Sequence, residues 1–204
     1  MLEIHNLECV RGDHRLFSAL NFVVSPGELL HVKGPNGSGK TTLLRTLCGL
    51  SQPSQGKVLW RGEAIDALAD EYYRELTYIG HLNGVKDELT AVETLYFAAK
   101  LSQQEADEDA IYEALRRIGL RGREELPAKV LSQGQKRRVA LARLLLNTTR
   151  LWVLDEPYTA LDVAAIGLLQ EVIAGHLNSG GMVVLTTHQD VEIEGVVRQL
   201  NLAA

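Results

Sequence analysis

The strongest chemical signal in the sequence is the stretch GPNGSGKTT at residues 34–42. Its three glycines allow a tightly folded backbone whose successive N–H groups can point at phosphate oxygens. Lys40 adds a positive charge, and the hydroxyl of Thr41 is a ligand that Mg²⁺ accepts. The stretch follows a strand-like run and opens a helical pattern, as a phosphate-binding P-loop requires. The residues predicted to bind nucleotide are Gly34, Pro35, Asn36, Gly37, Ser38, Gly39, Lys40, Thr41 and Thr42.

A pair of acids follows a second apolar run, LWVLDEP at residues 151–157. Strands of open α/β sheets deliver ligand-binding residues to their carboxyl ends, where Asp155 and Glu156 stand. Asp155 could hold Mg²⁺ through its water shell, and Glu156 could orient and deprotonate an attacking water. Two adjacent carboxylates could also be ordinary surface charge. That alternative is weak because the same chain carries a P-loop, whose metal site needs such a partner.

A third pattern, LSQGQKRRVALARLLL, occupies residues 131–146. Ser132 stands where a helix should begin, with Gly134 close behind. A helix start of this kind offers an anion a hydroxyl, bare N–H groups and the positive end of the dipole. Taken alone, the stretch would be no more than a capped amphipathic helix. Its position between a P-loop and an acidic strand end favours a functional reading.

The remaining patterns describe the elements that must position these residues. Alternating apolar residues predict strands in MLEIHNLECV, ALNFVV, ELLHVKG and KVLW. Near-continuous apolar runs predict parallel strands, buried on both faces, in RLWVLDE and GMVVLTTH. From about residue 90 to 147 the pattern is helical, and Thr90 with Glu93 forms a possible capping box. We therefore predict an α/β core interrupted by a helical insertion.

Composition narrows the possible functions. The chain has 204 residues and a formal net charge of −5, which gives no support for a nucleic-acid surface. Its two cysteines, Cys9 and Cys48, are far apart and are expected to be reduced thiols. The polar start of the chain is unlike a signal peptide, and no apolar run is long enough to span a bilayer. Any work at a membrane is thus expected to need a partner.

The order of the motifs GPNGSGKTT, LSQGQ, VLDEP, TALD and TTH resembles the nucleotide-binding subunits of ABC transporters, over nearly the whole chain. The resemblance implies an α/β fold with a P-loop NTPase (RecA-like) core, an N-terminal antiparallel β subdomain and an inserted helical signature subdomain. It implies one ABC ATP-binding domain over residues 1–204. The core and β subdomain would cover about 1–82 and 148–204, and the helical subdomain about 83–147.

The same resemblance implies a head-to-tail homodimer that holds two ATP molecules, with Mg²⁺, at its interface. Each ATP would contact the P-loop of one subunit and the signature residues of the other. Asp162 would cross the interface, and His188 would contact the γ-phosphate. Lys40, Glu156 and His188 would be catalytic, with Thr41 and Asp155 at the metal. The signature residues are Ser132, Gln133, Gly134 and Gln135.

Two positions depart from the family pattern. Arg11, in the stretch CVRGDH, stands where the family usually places an aromatic residue under the adenine ring. An arginine plane can also stack on a base, and plain surface exposure is the equal alternative. His81 stands where the family has a glutamine that senses Mg²⁺ and the attacking water. A neutral imidazole can also bond to water, so His81 is a candidate metal-site residue; the alternative is a core histidine with no role in the chemistry.

The stretch YIGHLNGVKDELTAVE resembles the ATP-binding subunits of the haem exporters that serve cytochrome c maturation. This resemblance implies membrane-spanning partners of the CcmB and CcmC type, a haem chaperone, and a peripheral location on the cytoplasmic face of the bacterial inner membrane. With scattered histidines and no CxxCH, the chain is expected to bind nucleotide and never haem. The predicted docking surface is residues 83–99, which mix charged residues with Leu89, Leu95, Tyr96 and Phe97. The alternative is ordinary core packing of an amphipathic helix, which most of these apolar residues are expected to follow.

Two alternatives stay open from the sequence. The chain could be the ATPase subunit of another ABC transporter, importer or exporter. It could also belong to a soluble ABC machine, such as one for iron–sulfur cluster assembly, which predicts partners outside the membrane. The helical insertion is too short for the long coiled coils that DNA repair cassettes carry. Translation factors usually have two cassettes, whereas this chain has one P-loop.

Overall fold

The structure, a computed structural model, describes residues 1–102, 107–189, 193 and 195–202. The strands are β1 Leu2–Arg11, β2 His14–Val24, β3 Glu28–Lys33, β4 Gln55–Trp60, β5 Glu63–Ala64, β6 Leu76–Ile79, β7 Leu151–Asp155, β8 Met182–Thr186 and β9 Val196–Asn201. The helices are α1 Lys40–Leu47, α2 Ile65–Leu68, α3 Asp70–Arg74, α4 Ala91–Leu101, α5 Glu108–Arg117, α6 Gln133–Leu146 and α7 Val163–Asn178, with a 3₁₀ turn at Ala128–Val130.

The strands form two sheets of different kinds. The first has the order β2-β1-β4-β5 and pairs its strands antiparallel. The second has the order β6-β7-β8-β3-β9, and β3 pairs parallel with both β8 and β9, as β7 does with β8. The predicted antiparallel β part and parallel core are therefore confirmed.

Contacts divide the chain into two compact units. The strand unit comprises Met1–Tyr78, Thr149–Glu156 and Ala174–Ala204. The helical unit comprises Ile79–Thr148 and Pro157–Ile173. The subdomain bounds expected from the sequence stay a prediction.

The core of the strand unit forms because its parallel strands are apolar on both faces. Every residue of β7 and β8 is buried, as is nearly all of β3. Helix α1 adds Leu43, Leu44 and Leu47, which pack with Val153 and Val184 in one cluster. Truncating one such leucine to alanine costs about 2–5 kcal/mol, so the helix that begins at Lys40 is held firmly at the sheet.

The helical unit packs α4, α5 and α6 around buried residues such as Leu95, Ile111 and Val139. Helix α4 begins with the predicted capping box, in which Thr90 Oγ1 accepts from the Glu93 amide and Glu93 accepts from the Thr90 amide. These two bonds satisfy N–H groups that the first turn of the helix would leave without a partner. This prediction is confirmed.

Three elements escape the sequence patterns. The short helices α2 and α3 are too brief to show a helical period. Strand β9 is an edge strand whose residues are exposed or half-buried, so its sequence VVRQLN lacks a continuous apolar run. None of the helices among the described residues is long and apolar enough to cross a membrane.

Candidate active site

The P-loop joins β3 to α1 by a backbone path that glycine makes possible. Gly37 and Gly39 have φ values of 87° and 94°, a region that disfavours side chains. A Cβ on Gly34 would lie 2.5 Å from Ser38 Oγ. Gly39 precedes α1 and provides no side-chain cap, so the first N–H groups of the helix are available to an anion.

Two polar groups of the loop lie ready for a phosphate. Lys40 Nζ donates to the carbonyl oxygens of Gly34 at 2.8 Å and Pro35 at 3.1 Å, which holds the ammonium inside the loop. Ser38 Oγ is buried without a hydrogen-bond partner. A buried hydroxyl in this state costs about 1–3 kcal/mol, which a phosphate oxygen would recover.

Asp155 ends β7 at the centre of a hydrogen-bond network. Its side chain accepts from Thr41 Oγ1 at 2.9 Å and from Thr186 Oγ1 at 2.7 Å. Asp155 is 2% exposed and Thr186 is fully buried. These bonds orient both carboxylate oxygens, and they place the first hydroxyl of α1 beside the acid. Thr186 was not predicted as a site residue, although the TTH motif contains it.

Glu156 is held in an unusual conformation directly after Asp155. Its φ is 50°, a left-handed value that costs a residue with a Cβ about 1–3 kcal/mol. Its amide donates to Thr186 at 3.1 Å, through both the carbonyl and the hydroxyl. Because the backbone turns here, the Glu156 carboxylate lies beside His188, with Oε1 3.6 Å from Nε2. The His188 side chain is largely exposed.

The helical unit holds the second group of predicted residues. Ser132 is the N-cap of α6, and its side chain accepts from the Gln135 amide while Gln135 Oε1 accepts from the Ser132 amide. Ser132 and Gln133 are exposed, whereas Gly134 and Gln135 are half-buried. The first turn of α6 thus presents a hydroxyl and its N–H groups at the surface of this unit.

Gly134 and Asp162 have local structural duties beside their predicted roles. A Cβ on Gly134 would lie 2.6 Å from the Ala160 carbonyl oxygen, so this contact requires glycine. Asp162 accepts from the Ala165 amide at 2.9 Å, as an N-cap of α7 does, and pairs with Arg138 at 2.6 Å. The bond from the Ala165 amide, with the nearby Arg138 charge, lowers the pKa of Asp162.

His81 and Arg11 are both exposed. His81 follows β6 by two residues, and the preceding residue, Gly80, gives its carbonyl to Arg137 Nη1 at 2.9 Å. Arg137 is 3% exposed and also bonds to the Pro157 carbonyl at 3.4 Å. Sequence reasoning missed this anchoring arginine, because its charge looked like part of a solvated face. Arg11 ends β1 and pairs with His14 across the hairpin.

The structure therefore gathers the P-loop, Asp155, Glu156 and His188 within the strand unit. The signature residues, Asp162 and His81 belong to the helical unit. A phosphate cradle beside an ordered acid, a strained glutamate and an exposed histidine can bind a nucleoside triphosphate and activate a water.

Comparison with known proteins agrees with this geometry. A protein family described as ABC transporter matches residues 17–159. The Cytochrome c biogenesis ATP-binding export protein CcmA of Nitrosomonas europaea is 58% identical, over 96% of this chain and 92% of its own. A putative ABC transporter ATP-binding protein from Pyrococcus furiosus has a similar structure, with a TM-score of 0.85 and 26% identity, covering 98% of this chain and 96% of its own.

The cassette MJ0796, described as a dimeric bacterial ABC transporter cassette, has a TM-score of 0.86 at 24% identity, over 98% of this chain and 94% of its own. It supports the fold alone. The chain belongs to the ABC transporter family, as an ATP-binding subunit with ATPase activity. Its resemblance to the CcmA proteins, expected from the motif order and the stretch around His81, is confirmed.

Proposed function

We propose that the chain is the ATP-hydrolysing subunit of a membrane complex that exports haem, or releases a haem-loaded chaperone, during cytochrome c maturation. The observation that carries this proposal is the 58% identity with the N. europaea export protein along nearly both full lengths. If the two complexes exported different substrates, their partner subunits would have to differ although the ATP-binding subunits are alike along nearly their whole length.

Nucleotide binding starts with the P-loop. The β- and γ-phosphates would take the N–H groups at the start of α1 and the Ser38 hydroxyl, which is buried without a partner. Lys40 would exchange its two loop carbonyls for phosphate oxygens, and Thr42 would lie near the α-phosphate. Arg11, exposed at the end of β1, is the proposed stacking partner of adenine.

The residues present fit Mg²⁺. Thr41 Oγ1 and Asp155 Oδ2 are hard oxygen donors 2.9 Å apart. Mg²⁺ is usually held by one or two protein oxygens together with phosphates and waters. When bound, the ion would neutralise charge on the transferring phosphate, and His81 is a candidate second-sphere partner.

Hydrolysis would then be a displacement at the γ-phosphorus. Glu156 takes a proton from the attacking water while the water oxygen bonds to the γ-phosphorus. The bond between the γ-phosphorus and the bridging oxygen breaks, and ADP leaves with that oxygen. His188, with Nε2 beside the Glu156 carboxylate, holds the water and the γ-phosphate in line. Lys40 stabilises the negative charge on the phosphoryl oxygens.

We further propose a head-to-tail homodimer. Ser132 and Gln133 are exposed at the start of α6, so the Ser132 hydroxyl and the N–H groups that the cap does not use suit the γ-phosphate held by a second copy. Gln133, Gly134 and Gln135 would line the same contact. Asp162 would reach the neighbouring site from the start of α7.

A groove of about 550 Å³ in the helical unit suits a helix from a membrane-spanning partner of the CcmB or CcmC type. Its apolar walls include Leu89, Phe97 and Leu101, and Leu101 is 86% exposed. Its charged lining residues within the described part of the chain are Lys86 and Arg143, both basic. The occupant should therefore be an apolar helix face that carries an acidic residue. This pairing would hold the chain at the cytoplasmic face of the inner membrane.

The chain itself is proposed to bind neither haem nor nucleic acid. Its six histidines are scattered along the sequence, and it has no CxxCH motif. The net charge of −5 supplies no broad attraction for phosphate backbones.

The proposal is tested by complementation. The chain is expressed in a bacterium that lacks its own CcmA protein, and covalent c-type cytochromes are measured by haem staining. We expect staining to return with the wild-type chain and to stay absent with Lys40→Ala. If the wild-type chain is produced normally and staining still does not return, the cytochrome c assignment is contradicted, whereas the ATPase assignment is unaffected.

The partner assignment needs a separate measurement. We expect the chain to be recovered with membrane-spanning subunits, and Arg143→Glu to lower that recovery at least about tenfold, because it would face an acidic partner residue. Lys57→Glu, at an exposed position of β4, makes the same charge change elsewhere and should leave recovery unchanged. Recovery only in a soluble complex with cluster-assembly proteins would favour the iron–sulfur alternative.

A further inference from the structure

Strand β3 carries a histidine in a position where an apolar residue would be expected. The run Leu29–Val32 is buried, and His31 within it is 1% exposed. Burying a polar group without a partner costs about 1–3 kcal/mol in proteins. An imidazole in this position therefore needs a reason that packing alone does not supply.

The reason lies across the sheet, in the segment that carries His188. His31 Nε2 lies 3.2 Å from the carbonyl oxygen of Thr187. A carbonyl oxygen accepts and does not donate, so Nε2 carries the proton and donates. His31 is the register neighbour of Leu185 on β8, and Thr187 follows that strand directly. The bond thus reaches past the end of β8.

The Thr187 carbonyl belongs to the same peptide group as the His188 amide. Fixing that carbonyl fixes the peptide plane, and with it the positions of the amide nitrogen and Cα of His188, from which the side chain extends. Thr187 is also held on its other side, because its hydroxyl accepts from the Gln189 amide at 3.0 Å. The exposed His188 side chain therefore extends from a backbone that is anchored from inside the sheet.

We propose that His31 is a positioning residue for ATP hydrolysis, which acts by holding the peptide from which His188 extends. This inference rests on the proposed role of His188. His31 would touch neither nucleotide nor water. An error of about 1 Å in the placement of a reacting group can cost about a hundredfold in rate, so a shifted peptide would lower turnover more than nucleotide affinity.

The test compares His31→Gln with His31→Met in the full-length chain. The glutamine amide nitrogen lies about as far along the side chain as Nε2 and can donate to the same carbonyl. Methionine fills similar space with no donor and leaves the Thr187 carbonyl unpaired. We expect His31→Met to lower kcat about tenfold with KM for ATP within about twofold, and His31→Gln to stay within about threefold of wild type.

A double-mutant cycle separates positioning from general destabilisation. If His31 acts through His188, adding His31→Met to His188→Ala should lower kcat no further. Tyr72→Phe is the matched control, because it removes another buried bond from a side chain to a carbonyl, that of Tyr72 Oη to Leu47 at 2.6 Å. It should lower the melting temperature while leaving kcat unchanged.

Three results would overturn the inference. They are an unchanged kcat in His31→Met, full additivity with His188→Ala, or an equal loss of kcat in Tyr72→Phe. A wild-type chain that hydrolyses ATP while His188→Ala keeps full turnover would instead remove the assigned role of His188. The two failures are therefore distinguishable.

Discussion

The strand unit and the helical unit hold their functional residues in opposite ways. In the strand unit, Asp155 and Thr186 are buried and bonded across strands that are far apart in the chain. In the helical unit, Ser132 is exposed and is ordered by a bond within the first turn of its own helix. The contrast teaches that the strand unit orders its predicted site residues by buried bonds between distant segments, whereas the helical unit orders Ser132 locally and leaves it exposed, as the proposed contact with a second copy requires.

Glu156→Gln should have the largest effect, because it removes the proposed general base of the strand unit while keeping the size and shape of the side chain. Loss of a general base typically costs about 10²–10⁴-fold in rate, so turnover should fall at least about a hundredfold. ATP binding should persist, as measured by nucleotide titration. Glu171→Gln, exposed on α7, is the matched control and should keep normal turnover. Normal hydrolysis by Glu156→Gln would remove the assigned base.

Gly134→Ala tests the outward-facing unit. The added Cβ would meet the Ala160 carbonyl oxygen at 2.6 Å, so the first turn of α6 must shift. We expect ATPase activity to fall about tenfold or more, with nucleotide binding to the P-loop intact. Gly167→Ala on α7 meets no atom within 4 Å and should raise stability by about 0.5–1 kcal/mol. Equal activity in the two variants would contradict the argument.

Two substitutions at Ser132 separate its capping role from its proposed phosphate contact. Ser132→Ala removes the cap and should cost about 1 kcal/mol, seen as a lower melting temperature. Ser132→Asp keeps a good capping oxygen but places a negative charge where a phosphate would bind. It should therefore keep the melting temperature and lower ATPase activity about tenfold. Full activity in Ser132→Asp would confine Ser132 to capping.

The smallest expected effect concerns a half-buried histidine in the strand unit. His176 stacks on Trp152, with ring centroids 3.7 Å apart, and burial lowers its pKa below the ordinary value of 6.5. The unfolded chain then binds more protons as the pH falls, so the free energy of unfolding should decrease from about pH 6.5 downward. His176→Phe keeps the stacking, and denaturation at several pH values should show a smaller decrease. An identical pH slope in both proteins would contradict this.

The fold was largely predictable because its strongest signals are local. The runs of β7 and β8 contain five buried residues each, and the predicted capping box of Thr90 and Glu93 is read from four adjacent residues. Local residue patterns pointed to the P-loop, Asp155, Glu156 and Ser132, and the family resemblance added Asp162 and His188. Their roles in binding and catalysis stay predictions.

The missed features all depend on contacts between distant parts of the chain. Arg137 and His31 look like a surface charge and an irregularity in the sequence, and their meaning appears only when Gly80 and Thr187 lie beside them. Thr186 was seen as part of a motif, but its bond to Asp155 follows from the pairing of β7 with β8. Strand β9, last in the order of its sheet, lacks apolar periodicity because its side chains are exposed or half-buried.

The left-handed backbone at Glu156 has a consequence for which substitutions evolution would favour at this position. Glycine adopts a φ of 50° without the penalty that glutamate carries, so Glu156→Gly should relieve strain while abolishing turnover. Selection for folding stability alone would favour glycine at this position, whereas selection for ATP hydrolysis would retain glutamate. A glutamate at this position therefore indicates a cassette under selection for ATP hydrolysis, and a glycine there would indicate one that has lost it.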